Sequence, residues 1–245
     1  MTSQPLPAAL TLVYHDDILC LVDQSDVAAG KVWVDFDTPE LRFRRHQALS
    51  REFLVKAVGG SRPRQSVKGI AGEGHIIDAT AGLGQDAFIL ACAGWRVTML
   101  EQSATVHALL ADGLQRAARA EDKTLRQLIA RMTLCEPGNA ITQLAQLPPA
   151  EVIYLDPMFP ERDKSARVKK NRALLQRLHG EDGQGKGLLD VAVPLTSKVV
   201  VKRPRLAPPL NAADAVPSAQ ISGKTSRFDI YVGQVGSNSR SIMRS

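Results

Sequence analysis

From residue 75 onward, short apolar runs alternate with helical stretches, and that alternation limits the folds open to the chain. Residues 75–80 (HIIDAT) read as a strand, 85–93 as a helix ended by Gly94, and 95–101 as a second strand. Residues 103–120 read as a helix with Ser103 as its N-cap, continued by helical residues 124–131. A third strand at 132–135, a short helix at 141–147 closed by Pro148-Pro149, and a fourth strand at 152–155 come next. Helical stretches around 169–178 and 188–194 lead to a fifth strand at 198–202, and 220–222 with 228–232 form a terminal antiparallel pair. Parallel strands need a crossover, and a strand–helix–strand crossover is right-handed. The expected fold is therefore α/β, with a doubly wound, mostly parallel sheet and one antiparallel strand pair at its end. Such a sheet binds ligands at the carboxyl ends of its strands.

Residues 1–60 lack this rhythm. Strands are expected at 12–22 and 31–36, a turn at Asp37-Thr38-Pro39-Glu40, and a short helix at 50–58. The expected organisation is a small N-terminal subdomain at 1–60, a glycine-rich basic linker at 61–74, the main domain at 75–235 and a disordered tail at 236–245. No apolar run approaches the roughly 20 residues that span a bilayer, and no basic segment precedes a sustained apolar stretch at the amino terminus. A cytoplasmic protein without a membrane partner is expected. Cys20, Cys92 and Cys135 are scattered with no CxxC and read as reduced thiols, and His46, His75, His107 and His179 have no metal-ligand spacing.

The first strand of the main domain runs into 78-DATAGLGQDAF-88. Gly82 and Gly84 between strand and helix permit a tight turn and close approach of a ligand to the backbone. Asp78 ends the strand. Glu101 ends the next one, where a carboxylate can accept both hydroxyls of a ribose. Two cofactors fit this layout. A dinucleotide is formally allowed by Gly82-x-Gly84-x-x-Ala87, but Asp86 stands in the helical turn where its phosphates would sit. S-adenosylmethionine (SAM) has no phosphate and carries a sulfonium and an ammonium, which Asp78 and Asp86 suit. Asp86 is also accounted for as a first-turn acid complementing the helix dipole. After the third strand, Asn139 and Ala140 stand where an adenine edge is read by an amide and a backbone N–H; Gly138-Asn139 is equally an ordinary turn.

The fourth strand ends in Asp156-Pro157-Met158-Phe159-Pro160. A carboxylate at the rim of a parallel sheet costs free energy unless paired or solvated, and a cap or surface acid would explain it. The neighbours add a chemical reading. Pro157 fixes the local backbone, so Asp156 and a main-chain carbonyl can accept the two hydrogens of a planar amine while Phe159 stacks on its ring. Methylation of an exocyclic amine needs that arrangement, because its lone pair is delocalised until the hydrogens are held.

The net charge of +6 and pI near 9.4 favour a polyanionic partner. Arg162, Lys164, Arg167, Lys169, Lys170 and Arg172 follow the motif; Lys198, Lys202, Arg203 and Arg205 lie on the fifth strand and its exit. Arg42, Arg44 and Arg45 form a third group, and Arg62, Arg64 and Lys68 lie in the linker. A basic rim that grips phosphates around an entering base is expected.

The glycine loop, Glu101 and Asp156-Pro157-x-Phe159 together resemble class I SAM-dependent methyltransferases of the amino-group type, whose signature is (D/N/S)-P-P-(Y/F/W). Met158 departs from its second proline. DATAGLGQDAF, YLDPMFP, KSARVKK, VVVKRP and RFDIYVG are similar to bacterial 16S ribosomal RNA guanine-N2 methyltransferases acting in the 3′ minor domain, over residues 75–233. The resemblance implies a Rossmann-like class I fold, SAM as cofactor, and 16S rRNA or the small ribosomal subunit as partner, with no metal. By position it implies cofactor contacts at Gln85, Asp86, Glu101, Gln102, Asn139, Ala140 and Asp156, where Gln85 replaces an expected arginine. Three other readings stay open: an NAD(P)-dependent oxidoreductase, a non-catalytic RNA-binding protein, and an amino-methyltransferase acting on DNA adenine or protein glutamine.

Overall fold

The computed structural model describes residues 9–26, 30–62, 74–157, 184–210 and 216–233, with backbone only for 184–186. Its main sheet contains β4 (His75–Asp78), β5 (Arg96–Met99), β6 (Met132–Leu134), β7 (Ala150–Leu155), β8 (Thr196–Pro204), β9 (Ala219–Ser222) and β10 (Ser226–Val232), in the spatial order β6-β5-β4-β7-β8-β10-β9. The first five are parallel; β10 runs antiparallel to both β8 and β9. The strand order reverses between β4 and β7, so their carboxyl ends flank the crevice where such sheets bind ligands. The fifth strand is longer than its apolar run, because Arg203 and Pro204 continue the pairing with β10.

Strand side chains alternate between faces. Ile76, Val152, Tyr154 and Val200 face one hydrophobic core; Ile77, Ile153, Leu155, Val199 and Val201 face another. The first core is covered by α2 (Phe53–Val58), α3 (Gln85–Cys92), α4 (Ala104–Ala118) and α5 (Lys123–Ile129), and the second by α6 (Ala140–Leu144) and α7 (Gln184–Ala192). The helix starts follow local chemistry. Ser103 Oγ caps Val106 N–H, and Asp122 Oδ1 accepts from Thr124 and Leu125 N–H at 2.8 and 3.2 Å. Gly84, at φ 74°, turns the chain into α3.

The N-terminal region differs from expectation in three places. The strand expected at 12–22 is a hairpin, β1 (Leu10–His15) and β2 (Ile18–Asp23), turned by Asp16 and Asp17 at φ 50° and 61°. Two consecutive positive-φ residues make the turn whose twist suits a two-residue hairpin, and aspartate tolerates it. The expected turn at 37–40 instead starts a helix, α1 (Pro39–His46), with Thr38 Oγ1 accepting from Leu41 N–H and Pro39 at the first helical position. The strand expected from 31 reduces to β3 (Lys31–Val32), paired with β2. Leu10, Leu21, Val34, Phe36 and Leu41 share one core with Phe88, Leu110 and Trp95. Within the expected linker, Arg62 lies 4.2 Å above the Trp95 ring, and its N–H bonds Ala93 O at 2.7 Å.

A tight contact between the N-terminal elements and the main domain is at Gly113 in α4. A Cβ there would meet Val34 Cγ1 at 2.4 Å and Val34 O at 3.1 Å. Gly113→Ala gains about 1 kcal/mol of helix propensity, but overpacking against Val34 costs more, about 1–3 kcal/mol. The expected outcome in thermal melts is a lower Tm for Gly113→Ala; an equal or higher Tm contradicts this packing.

Candidate active site

Strand parity brings the titratable residues together. Asp78 pairs with Tyr154 across β4 and β7, and Tyr154 pairs with Val200 across β7 and β8. Asp156 and Lys202 lie two residues beyond Tyr154 and Val200 on those neighbouring strands, so Asp78, Tyr154, Asp156 and Lys202 share the face on which α3 packs. From the first turn of α3, Asp86 joins them.

Lys202 Nζ donates to Asp86 Oδ2 at 2.7 Å and to Asp156 Oδ2 at 2.8 Å. Tyr154 O–H donates to the same Asp86 oxygen at 2.7 Å. One ammonium therefore ties the amino end of α3 to the carboxyl ends of β7 and β8. Burial alone would lower the pKa of Lys202; the two carboxylates override it and hold the ammonium charged well above the ordinary lysine range. Burial would raise Asp86, but Lys202, the Tyr154 hydroxyl and Arg44 from α1 hold it below its usual value. Burial also pushes Tyr154 well above its ordinary range, with Asp86 adding to it. The group opens outward: Asp78 is buried, whereas the side chains of Asp86, Lys202 and Asp156 are 21, 27 and 37% exposed.

Asp78 forms the floor. Its Oδ1 accepts from Thr80 N–H at 3.1 Å, and Thr80 Oγ1 in turn accepts from Asp156 N–H at 2.6 Å. Burial raises Asp78 to about 8; the Thr80 N–H opposes the shift, the Asp86 and Asp156 carboxylates add to it, and Lys202 reduces it.

Glu101 stands one strand away, buried, its carboxylate plane fixed by the backbone. Oε2 accepts from Gly82 N–H at 3.0 Å and Oε1 from Ser103 N–H at 2.7 Å. Gly138 N–H bonds Glu101 O at 3.2 Å and docks the β6–α6 loop beside it. Asn139 Oδ1 caps α6 through Ile141 N–H at 2.8 Å, and Ala140 is the first residue of that helix, where no intrahelical partner exists for its N–H. Gln85 opens α3, and Gln102 lies between Glu101 and the Ser103 cap.

A family model of SAM-dependent methyltransferases matches residues 3–233. The chain belongs to that family. It is 45% identical over 231 residues to the ribosomal RNA small subunit methyltransferase J of Thioalkalivibrio sulfidiphilus, covering 91% of this chain and 84% of that protein. The protein of the same name from Marinobacter nauticus is 40% identical over 226 residues, covering 91% and 77%. The crystal structure of a SAM-dependent methyltransferase from Neisseria gonorrhoeae matches with a TM-score of 0.70 and 33% identity, covering 96% of this chain and 87% of that one. The fold is thus the class I, Rossmann-like α/β methyltransferase fold, and the cofactor is SAM.

The residues of this methyltransferase fit that cofactor. A Cβ at Gly82 would meet only Thr80 O, at 3.9 Å, so the backbone there is open to close approach. Among the described residues around it stand the carboxylates of Asp86, Asp156 and Glu101 with Lys202, above an Asp78 that burial keeps protonated up to about 8. That set favours a cationic ligand and would repel a pyrophosphate.

Several of the expected basic contacts have other duties. Lys202 lies between two carboxylates. Arg203 points to the opposite face, buried, and donates to Pro208 O at 3.1 and 2.7 Å. Lys198 sits near the amino end of β8, with its ammonium 3.5 Å from Val58 O. Arg42, Arg44, Arg45 and Arg62 pair with Asp37, Glu52, Asp122 and Glu151. Arg205 is exposed at the end of the sheet. Phe159, Arg162, Lys164, Arg167, Lys169 and Lys170 lie outside the described residues, as do Met158, Arg64, Lys68 and Arg172. Tyr154 and Arg44 were not anticipated as members of the site; the parity of YLD, which sets Tyr154 and Asp156 on one face, was the available signal. Among the described residues no helix is long and apolar enough to cross a membrane, and no three His, Cys, Asp or Glu side chains cluster to hold a metal.

Raising Asp78 from 3.8 to about 8 has a consequence for stability. Between those values the folded chain keeps a proton that the unfolded chain has lost. The contribution is present in full below the lower value and is lost as pH rises through the upper one, by at most about 1.4 kcal/mol per pH unit. Asp78→Asn keeps an acceptor for Thr80 N–H and removes the ionisation. Its Tm without ligand should exceed that of the wild type at pH 8 by several °C, with the gap closing towards pH 5. A variant less stable at pH 8 than at pH 5, relative to wild type, contradicts the burial argument.

Proposed function

We propose that this methyltransferase transfers a methyl group from SAM to the exocyclic N2 of a guanine in 16S rRNA, position 1516, on the small ribosomal subunit or its RNA. The observation that carries the reading is Asp156 at the switch point of the sheet. Its carboxylate stands at the mouth of an acidic site, its backbone is pinned by Thr80, and Pro157 comes next. The relatives at 40–45% identity are named ribosomal RNA small subunit methyltransferases, which supports the substrate class.

In this reading Glu101 accepts the ribose hydroxyls of SAM, Asp78 and Asp86 face its cationic end, and the loop at Gly82, Gly84 and Gln85 lies against it. Gln102, Asn139 and Ala140 border the adenine. When bound, the cofactor supplies an electrophilic methyl group on sulfur. Asp156 accepts an N–H of the guanine amine, with a carbonyl near Pro157 taking the other, and the nitrogen lone pair is released from the ring towards the methyl carbon. Phe159 stacks on the base. Once methylated, the amine would be cationic and acidic, and Asp156 would take its surplus proton and pass it to water. Arg162, Lys164, Arg167, Lys169, Lys170 and the exposed Arg205 hold phosphates of the RNA.

Two measurements test this. SAM should raise the Tm of the wild type, and NAD should leave it unchanged. Methyl incorporation into 16S rRNA or small subunits from cells lacking the gene should fall by about 100-fold or more in Asp156→Ala, while SAM affinity changes only a few-fold. Incorporation at the wild-type rate by that variant contradicts the role given to Asp156.

A further inference from the structure

We propose that Lys202 is a positioning residue for methyl transfer, its ammonium bridging Asp86 and Asp156 so that the Asp156 carboxylate is held in the orientation that receives the target amine. This rests on the function proposed above and adds a residue that acts through Asp156.

The geometry separates this role from a phosphate contact. Lys202 Nζ lies 2.7 Å from one carboxylate and 2.8 Å from another. Lys202 Nζ is already shared by two carboxylates at hydrogen-bond distance, so a phosphate would have to displace one of them. The bridge is also anchored. Asp86 Oδ2 receives both Lys202 and the Tyr154 hydroxyl, from adjacent strands, and Asp86 belongs to the first turn of α3. Arg44 of α1, itself paired with Glu52, also acts on Asp86 as a cation. Opposite Lys202 on β10 stands Phe228, which is buried and does not titrate. Among the described residues, the titratable and charged groups around the lysine are Asp86, Asp156, Tyr154 and the buried Asp78, with Arg44 acting on Asp86.

Asp156 is thus gripped twice from the sheet side. Its N–H is bonded to Thr80 Oγ1 and its carboxylate to Lys202. Neither contact depends on the residues after Pro157. The amino-methyltransferase signature fixes this acid partly with a second proline, and this chain has Met158 in its place. The ion pair supplies by charge an orientation that the second proline would supply by covalent stiffness. A displacement of order 1 Å at a reacting group can cost about 100-fold in rate, so a tether to Asp156 governs turnover more than binding.

The test uses the full-length enzyme, SAM, and small subunits or 16S rRNA from cells lacking the gene, comparing wild type, Lys202→Met and Lys202→Arg. In Lys202→Met, kcat at pH 7 should fall by about 100-fold, with SAM affinity and the KM for RNA within about 3-fold. Asp86 and Asp156 would then face each other without their shared cation and would retain a proton between them. The acidic limb of kcat should accordingly move upward, so that the variant gains rate between pH 7 and 9 where wild type is flat. Lys202→Arg keeps the charge and the fold but changes the reach; its kcat should lie between the other two, with KM unchanged. This second variant carries the test if Lys202→Met does not fold. The proposal is overturned if kcat stays within about 2-fold of wild type while KM for RNA rises and the log–log salt dependence loses about one unit, the signature of a phosphate contact. It is also overturned if kcat in Lys202→Met falls without recovery at high pH, or if Lys202→Arg turns over like wild type. Absence of methylation by wild type on every rRNA substrate is a separate result, which removes the proposed function itself.

Discussion

One ammonium group shared between two carboxylates organises the catalytic end of this molecule. Lys202 joins α3 to β7 and β8 at the point where the strand order reverses. An ion pair in so enclosed a place is not chiefly a source of stability, because desolvation offsets much of the Coulomb gain. Its value lies in direction. Asp86, Lys202 and Asp156 can satisfy one another in only a narrow range of geometries, and Tyr154 narrows it further from below. The remaining acids follow from the same field. Burial beneath that group, with the Asp86 and Asp156 carboxylates adding to it, keeps Asp78 protonated up to about 8. A cationic ligand above it would reverse that balance.

The glycine loop and Glu101 belong to a second, backbone-built half of the site. Glu101 is held by Gly82 and Ser103 N–H groups, so the same turn that opens room for a cofactor also aims the carboxylate beside it. The two halves meet at Thr80, whose N–H binds Asp78 and whose hydroxyl accepts from Asp156. Asp78 and Asp156 are thereby joined through one residue along a hydrogen-bonded path.

Much of this was legible in the sequence, for physical reasons that differ by residue. The alternation of strand and helix after residue 75, the caps at Ser103 and Gly94, and the acid ending β4 are local signals that appear in the fold, while Glu101 lies two residues past β5 and the helix expected at 169–178 lies outside the described residues. Local signals failed where two residues had to be placed across strands. Lys202 and Arg203 read alike as rim cations, yet period-two alternation sends one into the site and the other to the opposite face, bound to Pro208 O. Only the register of β8 against β7 and β10 decides which is which, and register is a tertiary property. Arg42, Arg44 and Arg45 read only as a third basic group; their partners Asp37, Glu52 and Asp122 lie up to 77 residues away in sequence. The helix at Pro39–His46 was missed because Thr-Pro-Glu opens helices and turns with the same chemistry.

The function proposed for this acidic switch-point site is methylation of a guanine amine of the small-subunit RNA. Its most direct test is nucleoside mass spectrometry of 16S rRNA, mapped by nuclease fragments, from cells with and without the gene. One N2-methylguanosine, at position 1516, should be present with the gene, absent without it, and restored when the gene is supplied again. An unchanged profile of modified nucleosides in 16S rRNA on loss of the gene would contradict it.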